Sequence, residues 1–540
     1  MQSNGLSFHH PVAFWLGCST LMAGVLAHFP MFLHSADMAY HMAGMPMDMP
    51  MMAGMVLIPV GFLLAAYGLM PRLSQMRSNL YGNPIRFHIA DDAALNREHW
   101  KLVAVLFVAL AVDVMKPATL GFVMPGVAKE YEITKQSAGM LALVALTGTT
   151  IGSIVWGRMA DTFGRRATIL LSALMFIGTA ICGAMTSFEG NLVMCFLMGA
   201  SAGGLLPITF TLMAEMIPAA HRGWLLVALG GVGTSAGYLL AAGSAALLEP
   251  LFSWRALWLL GLPTGALIIF LDRYIPESPR FLSNAGLGDQ ARAVLAKFSG
   301  VIDNDRIEHS GAPATAAKDD SGGLWQLMRG SHAHITWGLV MCGISWGLVN
   351  FGFLLWLPTN LVSLGMDASA ASGLLARSAI LALPGILLVI WLYHSWSSIR
   401  TLVAFIVLTT LSLLAFFLLG MLGAQSPGAI TIATALLLIS ASGVIATLIP
   451  YAAEIYPVHL RATGSGLIAA SSKFGGILGA VCGVLGVFND LKFSALFIAV
   501  PMAVSAIMLF VSGIDTRGRR LEEIQDDVLN RKKGKSVPVT

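Results

Sequence analysis

Charged residues are scarce in this sequence of 540 residues. Asp, Glu, Lys and Arg make up 11% of it, whereas 56% of the residues are hydrophobic. An ordinary soluble domain contains roughly 25% charged residues. A soluble fold could not hide so much apolar surface from water, so the composition excludes a water-soluble globular protein. Lipid must therefore be the solvent for most of the chain.

Cysteine is also scarce, and several functional motifs are absent. The five cysteines all lie within apolar runs, which excludes a secreted disulfide framework and predicts small buried side chains. They are Cys18, Cys182, Cys195, Cys342 and Cys482. We find no catalytic triad, nucleotide-binding loop or metal-protease motif, and no basic surface typical of nucleic-acid binding. We therefore expect no enzyme activity, no cofactor and no nucleic-acid partner.

Long apolar runs take the place of these features. A membrane-spanning helix needs about 20 apolar residues, and fourteen runs approach or exceed that length. They fall at residues 11–33, 50–71, 101–126, 137–160, 166–186, 190–214, 223–247, 254–272, 334–358, 370–393, 400–422, 428–451, 462–487 and 491–513. The pattern predicts an all-α integral membrane protein. The first run lacks a basic leader, so we expect a retained helix and not a signal peptide.

Basic residues fall in alternate loops between these runs. They include Arg72, Arg77, Arg86, Arg158, Arg165, Arg166, Arg222, Arg273, Arg280, Arg400, Arg461 and the tail from Arg517 to Lys535. The intervening loops, around His34–Asp48, Glu249 and Asp367, are almost free of them. Cytoplasmic loops carry the Lys and Arg excess. We therefore expect a multi-pass protein of the bacterial inner (plasma) membrane with both termini in the cytoplasm.

The polar segments predict five regions. Residues 1–99 contain two extra helices with a Met/His-rich external loop and a linker, 100–275 a six-helix bundle, 276–332 a cytoplasmic loop, 333–515 a second six-helix bundle, and 516–540 a basic cytoplasmic tail. Within the loop at 276–332 we expect a short amphipathic surface helix at Asp289–Lys297 and disorder at Ser310–Gly323.

The two bundles share a repeated motif. The pattern E-x-x-P-x-x-x-R spans Glu215–Arg222 and recurs at Glu454–Arg461, after the fourth helix of each half. Two copies at equivalent places indicate an internal duplication. Secondary transporters use such repeats to give alternating access to a site near the bilayer midplane.

Three further motifs resemble those of the major facilitator superfamily. Gly157–Arg166 (GRMADTFGRR) matches its signature loop, and Pro276–Arg280 (PESPR) resembles the sugar and organic-ion porters. Asp113–Pro125 is similar to the D-x-x-D-x-x-x-x-G-F-x-x-P pattern of the aromatic-acid:proton symporters, but Lys116 stands where the second acid would be. The resemblance covers about residues 100–515. It implies two pseudo-symmetric six-helix bundles, here with two additional N-terminal helices, fourteen in total.

The resemblance also implies a set of gating residues. Asp161 and Arg165 would latch the cytoplasmic side closed, and the pairs Glu215–Arg222 and Glu454–Arg461 would add to this gate. Gly157, Gly164 and Arg166 complete the matched signature. The alternative is that these are solvated loops that only follow the positive-inside rule.

Four charged residues lie deep within apolar runs. A charge at the bilayer centre costs roughly 2.5–3.5 kcal/mol, so such residues usually face a pathway. Asp113 is the candidate for the coupling proton, while Lys116, Arg377 and Lys473 are candidates for binding an anionic substrate. The alternatives are an i,i+3 pair of Asp113 with Lys116, snorkelling of Arg377 to the headgroups, and a structural partner for Lys473.

Aromatic side chains could complete a substrate site. Tyr238 and Trp346 are the candidates for contact with an aromatic ring, although aromatic residues on a helix more often serve packing. Trp356, Phe351 and Phe353 lie in the same helix as Trp346.

The predicted external loop is rich in methionine and histidine. The candidate copper ligands are His34, Met38, His41, Met42, Met45, Met47 and Met49. Thioethers are soft ligands that suit Cu(I). The favoured alternative is an apolar connector that dips into the outer leaflet, because Met is also a common apolar filler.

These features predict a monomeric secondary transporter. We expect it to carry a small organic anion, an aromatic or other carboxylic acid, together with a proton, and uptake is preferred over export. The alternatives are a sugar or polyol porter, a copper importer and a transporter-like sensor. The substrate and the number of coupled protons do not follow from the sequence.

Overall fold

The structure is a computed structural model, and it describes residues 10–70, 93–285, 287–299, 327–329, 332–423, 426–456 and 458–516. Within these ranges all regular secondary structure is helical, which confirms the predicted all-α class. The segment Ser310–Gly323, for which disorder was predicted, lies outside the described residues. So do most of the linker after the second helix and the basic tail from Arg517.

Fourteen spans in this described part are long and apolar enough to cross a membrane, which confirms the predicted number. The helices are α1 (Pro11–Leu26), α2 (Phe29–His34), α3 (Met49–Leu69), α4 (Arg97–Glu130), α5 (Lys135–Phe163), α6 (Arg165–Gly178), α7 (Phe188–Met216), α8 (Ala219–Phe252), α9 (Arg255–Leu259), α10 (Gly261–Phe270), α11 (Pro279–Asn284), α12 (Gly288–Ser299), α13 (Ala333–Gly347), α14 (Leu355–Ser363), α15 (Ala368–Ser395), α16 (Ser398–Met421), α17 (Pro427–Ile455), α18 (Val458–Val484) and α19 (Leu491–Ser512). The short helices α11 and α12 belong to none of the fourteen spans. Several elements combine into one span: α1 with α2, α9 with α10, and α13 with α14 through a π-helical segment, Leu348–Leu354.

Several helices continue beyond the apolar run that predicted them, because polar side chains cap their first turns. The side chain of Asn96 accepts hydrogen bonds from the backbone N–H groups of Glu98 and His99, so α4 begins four residues before its apolar run. The same role falls to Asp48, Thr134, Ser187, Asp367, Ser397, Ser426 and Asp490. Each cap satisfies a backbone donor that the helix itself leaves unpaired.

The contacts divide the chain into two compact units. Unit one lies within residues 1–223 and 236–308, and unit two within 224–235 and 309–540. Unit one contains α12, the helix predicted at Asp289–Lys297. Unit two has a large buried core in which Leu402, Tyr451 and Met502 are fully buried.

The two extra helices form a hairpin whose interface is made of glycine. Glycine recurs every seven residues at Gly17 and Gly24 on α1 and at Gly54, Gly61 and Gly68 on α3. A Cβ atom at Gly61 would lie 2.5 Å from the backbone nitrogen of Leu21. The backbones therefore touch, as in other membrane helix pairs with small residues at their interface.

The hairpin packs on α6 within unit one. Both α1 and α3 contact α6, and the side chain of Ile58 lies against Gly178 at its end. The span formed by α6 and its 3₁₀ continuation (Thr179–Ala184) is the most deeply buried of the fourteen, with 94% of its most apolar stretch buried. The extra helices thus help to enclose a helix of the first predicted bundle.

We predict that Gly61→Leu separates the hairpin, because the new side chain would meet the backbone of α1. The expected loss of stability is about 2 kcal/mol or more, as for other overpacked sites. The measurement is the thermal unfolding midpoint of the protein in detergent. Val60→Leu is the control, since Val60 is 49% exposed on the other side of α3. Equal midpoints for the two variants would contradict the close packing.

Candidate functional site

Two charged side chains are buried in the middle of α4. Asp113 is 3% exposed and Lys116 is 1% exposed, although both lie in a helix whose surroundings are apolar. Burial of a charge in such an environment requires bonding partners. Both charged side chains are therefore buried within the helix, at the depth that the sequence predicted.

The ammonium group of Lys116 contacts α6. Its Nζ donates to the carbonyl oxygen of Phe176 at 2.8 Å and to Oγ1 of Thr179 at 3.1 Å, and it lies 4.0 Å from the centre of the Phe176 ring. Gly261 leaves room for it, because a Cβ there would lie 2.4 Å from Nζ. The ammonium thus stands at the C-terminus of α6, where the helix changes to 3₁₀ and a cation stabilises the exposed carbonyls. Its predicted role in substrate binding stays a prediction.

Helices α4 and α8 cross beside Asp113. A Cβ at Gly237 would lie 2.8 Å from the carbonyl oxygen of Ala111 and 2.7 Å from Cβ of Val114, so glycine is what allows the close approach. The next residue, Tyr238, stands with its ring centre 6.0 Å from that of Phe122. Its hydroxyl oxygen is buried and has no hydrogen-bond partner within the described ranges. A buried hydroxyl in this condition can bond to a polar ligand.

Unit two contains the other three predicted substrate residues. The indole nitrogen of Trp346 donates to the carbonyl oxygen of Ala441 at 2.8 Å, and its ring meets that of Phe351 edge-on. Lys473, on α18, is half-buried. Arg377 is exposed on the same stripe of α15 as Leu381 and Leu388, which are 55% and 48% exposed. This placement favours the alternative in which Arg377 snorkels to the headgroups.

The signature loop joins α5 to α6 through Gly164. This glycine has φ +104°, a conformation that other residues rarely adopt, and a Cβ there would lie 2.2 Å from Oε2 of Glu277. Gly157 in contrast has open space around it. The loop is thus shaped by Gly164, whereas Gly157 has room for a side chain among the described residues.

The arginines of the signature loop form ion pairs within unit one. Arg165 contacts Oε1 of Glu215 at 3.2 Å and Oδ1 of Asp161 at 3.4 Å, and Arg166 binds both carboxylate oxygens of Asp272 at 2.8 Å. The predicted pairing of Asp161 with Arg165 is therefore present, with Asp161 itself 78% exposed.

The repeated E-x-x-P-x-x-x-R motif is described in the first half only. Arg222 donates to the carbonyl oxygen of Ile217 at 3.1 and 3.2 Å, while Glu215 accepts from Arg165. The side chains of Glu454 and Arg461 lie outside the described residues. The predicted gating role of all these residues remains to be tested.

Glu277, from the PESPR motif, binds the first turn of α6. Its carboxylate accepts from the backbone nitrogens of Arg165 at 2.7 Å, Arg166 at 3.2 Å and Ser278 at 3.0 Å, and the residue is 4% exposed. Burial raises the pKa of Glu277 from its ordinary 4.5 to about 7, against the opposing effect of these hydrogen bonds. No role was predicted for Glu277 from the sequence. The resemblance of the PESPR motif was the only feature of the sequence that pointed to it.

A buried ion pair that was not predicted from the sequence lies at the C-terminal end of α4. The Nη2 of Arg255 is 2.6 Å from Oε1 of Glu130, and the two side chains are 0% and 7% exposed. Arg255 also donates to the carbonyl oxygens of Gly183 and Met185, which follow α6. A lone arginine in an otherwise apolar stretch was the only signal in the sequence.

The predicted copper candidates do not share one environment. Met42 is fully buried and Met45 half-buried, whereas His34, Met38, His41, Met47 and Met49 are exposed. In the described ranges no three His, Cys, Asp or Glu side chains come close enough to hold a metal.

We predict that stability falls as pH rises from about 4.5 to about 7 because of Glu277. In that range the folded chain holds a proton that the unfolded chain has released, and each unit of pKa difference corresponds to about 1.4 kcal/mol. Glu277→Gln should flatten the dependence of the unfolding midpoint on pH. The control is Glu189→Gln, an exposed carboxylate. An unchanged slope in Glu277→Gln would contradict the buried proton.

The chain was compared with known proteins. A model of the Major Facilitator Superfamily matches residues 103–480. The 4-hydroxybenzoate transporter PcaK of Acinetobacter baylyi is 28% identical over 445 residues, which cover 79% of this chain and 93% of that protein. The niacin transporter NiaP of the same organism is 27% identical, with 80% and 98% covered. The gallate transporter of Pseudomonas putida is 25% identical, with 78% and 94% covered.

Solved structures show the same fold. The proton:xylose symporter XylE bound to 6-bromo-6-deoxy-D-glucose has a TM-score of 0.61 at 17% identity, and the alignment covers 79% of this chain and 98% of that one. The partially occluded, inward-open XylE from E. coli has a TM-score of 0.63 at 14% identity, with 79% and 100% covered. The extra hairpin, α1 to α3, lies before the residues that the family model matches. The chain belongs to the Major Facilitator Superfamily and is a membrane transporter.

Proposed function

We propose that this transporter takes up a small carboxylic acid, preferably an aromatic one, together with a proton. The observation that carries the proposal is the buried carboxyl of Asp113 in α4, beside the crossing with α8. Further along α4, the ring centre of Phe122 lies 6.0 Å from that of Tyr238, which follows the crossing glycine on α8. The names of the relatives support the substrate class. 4-Hydroxybenzoate, niacin and gallate each combine an aromatic ring with a carboxyl group, and transporters for all three are similar to this chain.

Asp113 is the group to which we assign the coupling proton. A carboxyl in an apolar helix is neutral when protonated, so uptake of a proton lowers the cost of its burial. Departure of the proton leaves a charge that favours a rearrangement. Because Lys116 replaces the second acid of the related pattern, Asp113 would be the only carboxyl of that pattern available for coupling in this chain.

An anionic substrate needs a cationic partner, and we assign this role to Lys473. The residue is half-buried in an apolar helix, whereas Arg377 is exposed among exposed apolar side chains. Trp346 and Tyr238 are the aromatic candidates for contact with the ring. A substrate ring that packs on such side chains gains roughly 0.5–1.5 kcal/mol beyond its buried area.

The membrane topology belongs to the same proposal. The alternate placement of basic loops supports two cytoplasmic termini and an inner-membrane location. The signature loop then faces the cytoplasm, and Asp161, Arg165, Glu215 and Arg222 serve as part of a cytoplasmic gate during alternating access. The two predicted bundles, 100–275 and 333–515, would be the moving parts of a monomer in the lipid bilayer.

The experiment measures external pH in a weakly buffered suspension of energy-depleted cells that express the protein. Aromatic and aliphatic carboxylates are added one at a time. Symport should make the medium more alkaline when a transported acid is added, and Asp113→Asn should abolish this signal because the coupling carboxyl is lost. The control is Asp367→Asn, which changes an exposed carboxylate at the start of α15.

Each outcome decides between functions. A signal with one acid that is kept in Asp113→Asn would contradict the role of Asp113 but not acid symport. A signal with sugars or polyols alone would favour the porter that the PESPR motif resembles. Accumulation of copper with no response to acids or sugars would favour import of the metal. Binding of an acid without uptake would favour a sensor.

We predict different effects for the three intramembrane cations on uptake of the acid identified above. Lys473→Gln should raise KM about 10- to 100-fold, since a hydrogen bond to a charged group contributes about 1.5–3 kcal/mol. Arg377→Gln should leave KM within about twofold, as for other exposed charges. Lys116→Met should lower the thermal stability, because it removes the bonds to Phe176 and Thr179. A larger rise in KM for Arg377→Gln than for Lys473→Gln would reverse the assignment.

A further inference from the structure

The Met-rich loop, which we define as residues Met38–Asp48, is bound to unit one through its backbone. The nitrogens of Met42 and Ala43 donate to Oε1 of Glu130 at 2.8 and 3.1 Å, and the nitrogen of Gly44 donates to the carbonyl oxygen of Thr186 at 2.9 Å. The loop is therefore fixed to unit one at Met42, Ala43 and Gly44.

The acceptor of these bonds is itself held in place. Glu130 pairs with the fully buried Arg255, and its Oε2 accepts from the indole nitrogen of Trp254 at 2.8 Å. Charge-assisted bonds of this kind are roughly twice as strong as neutral ones. Glu130 thus presents a rigid anion to the loop, and the side chain of Met42 is directed inward, where it is 0% exposed.

Met42 meets two other buried methionines. Met31 on α2 and Met51 in the first turn of α3 are 6% and 0% exposed, and they form one cluster with Met42 and Phe32. Three thioethers thus converge from three different segments of the chain. Met45 packs on the edge of the same cluster.

A buried imidazole adjoins this cluster. The Nδ1 of His28 is 2.9 Å from the carbonyl oxygen of Gly24, and a carbonyl can only accept, so Nδ1 carries the hydrogen. In the neutral ring Nε2 then has a free lone pair. This nitrogen is buried and has no hydrogen-bond partner in the described part of the chain, and His28 is 0% exposed.

The placement of His28 brings it to the methionines. A Cβ at Gly54 would lie 2.6 Å from Cε1 of His28, so the ring rests on the backbone of α3. Met51 lies one turn before Gly54 on the same buried face of α3, and Met31 follows His28 by three residues. A buried imidazole and buried methionine side chains therefore lie on neighbouring turns of the hairpin.

We propose that Nε2 of His28 and the thioethers of Met31, Met42 and Met51 bind Cu(I). Thioether and imidazole ligands suit this soft cation. A histidine that ligates a metal through one nitrogen almost always donates its other N–H to a carbonyl or carboxylate, as His28 donates to Gly24. All four ligands are neutral, so a monovalent ion adds less uncompensated charge to an apolar site than a divalent one would. The site lies in the extra hairpin and its loop, apart from Asp113 and the residues of the proposed transport function.

Simple packing is the competing explanation for the same side chains. Methionine fills apolar gaps well, but a buried Nε2 without a hydrogen-bond partner destabilises the fold. Packing alone leaves this destabilisation uncompensated, whereas a bound soft cation removes it. Met49 is exposed, so neither explanation requires it, and it can serve as a control.

The test is an anaerobic titration of the purified full-length protein with Cu(I) in competition with bicinchoninate. We expect one tightly bound ion per chain and an X-ray absorption spectrum with both sulfur and nitrogen ligands. Met42→Leu and Met51→Leu, which preserve side-chain volume, should each weaken binding at least about tenfold, the scale on which metal sites respond to altered ligation. Met49→Leu, the matched control on a residue that is 75% exposed, should stay within about twofold.

His28→Leu separates ligation from folding. It should remove the nitrogen component from the absorption spectrum and weaken binding at least about tenfold, while the unfolding midpoint without copper stays the same or rises because the unpaired nitrogen is gone. Binding to the five cysteines would survive this variant. Absence of competitive Cu(I) binding, or equal weakening by Met49→Leu and Met51→Leu, would overturn the proposal.

Discussion

The two ends of α6 are held by two buried side chains, a carboxyl and an ammonium, and much of unit one depends on this arrangement. Glu277 accepts from the backbone nitrogens of Arg165 and Arg166 at the N-terminus, and Lys116 donates to the carbonyl of Phe176 at the C-terminus. Backbone groups at a helix end have no partner within the helix, and in lipid they have no water. A carboxyl oxygen at the first turn and a cation at the last also match the helix dipole. Arg255 continues the pattern beyond the 3₁₀ segment by donating to the carbonyls of Gly183 and Met185.

This arrangement gives Lys116 a physical reason to occupy its position. In the motif that α4 resembles, an acid stands there, and an acid could not bond to the carbonyl of Phe176 unless it carried a proton. The base that stands in place of the acid thus bonds to the carbonyl of Phe176 at the break in α6, and Asp113 is the one carboxyl that the motif keeps. The same break is where the extra hairpin packs, since Ile58 lies against Gly178. Lys116, the buried helix and the added hairpin are therefore linked through one set of contacts in unit one.

The helices could be predicted from the sequence because each one is recorded locally, as an apolar run with a polar cap. The number of spans followed from hydropathy and was correct. The family also followed from local motifs and is supported by the match over residues 103–480. The partners of the buried charges could not be predicted in the same way. From the sequence, the candidate partner of Lys116 was Asp113, three residues away, but the contacts described for Lys116 lie about sixty residues along the chain. The contacts of Glu277 with Arg165 and Arg166 join residues more than a hundred positions apart. Distances of that kind depend on tertiary packing, which a single sequence does not record.

The extra hairpin shows the same division between local and distant information. Glycine at seven-residue intervals on both helices was visible in the sequence and is sufficient to explain their close contact. The number of methionines in the loop was equally visible. A count of this kind treats exposed and buried side chains alike, so it could not show which methionines pack together. Which thioethers converge depends on Glu130, which holds the backbone of Met42 from 88 residues away. The ion pair of Glu130 with Arg255 thus positions the backbone of Met42, although neither charged residue belongs to the methionine cluster. A buried charge that fixes a backbone can select the neighbours of an apolar side chain, and for that reason the polar contacts must be known before a methionine-rich segment can be interpreted.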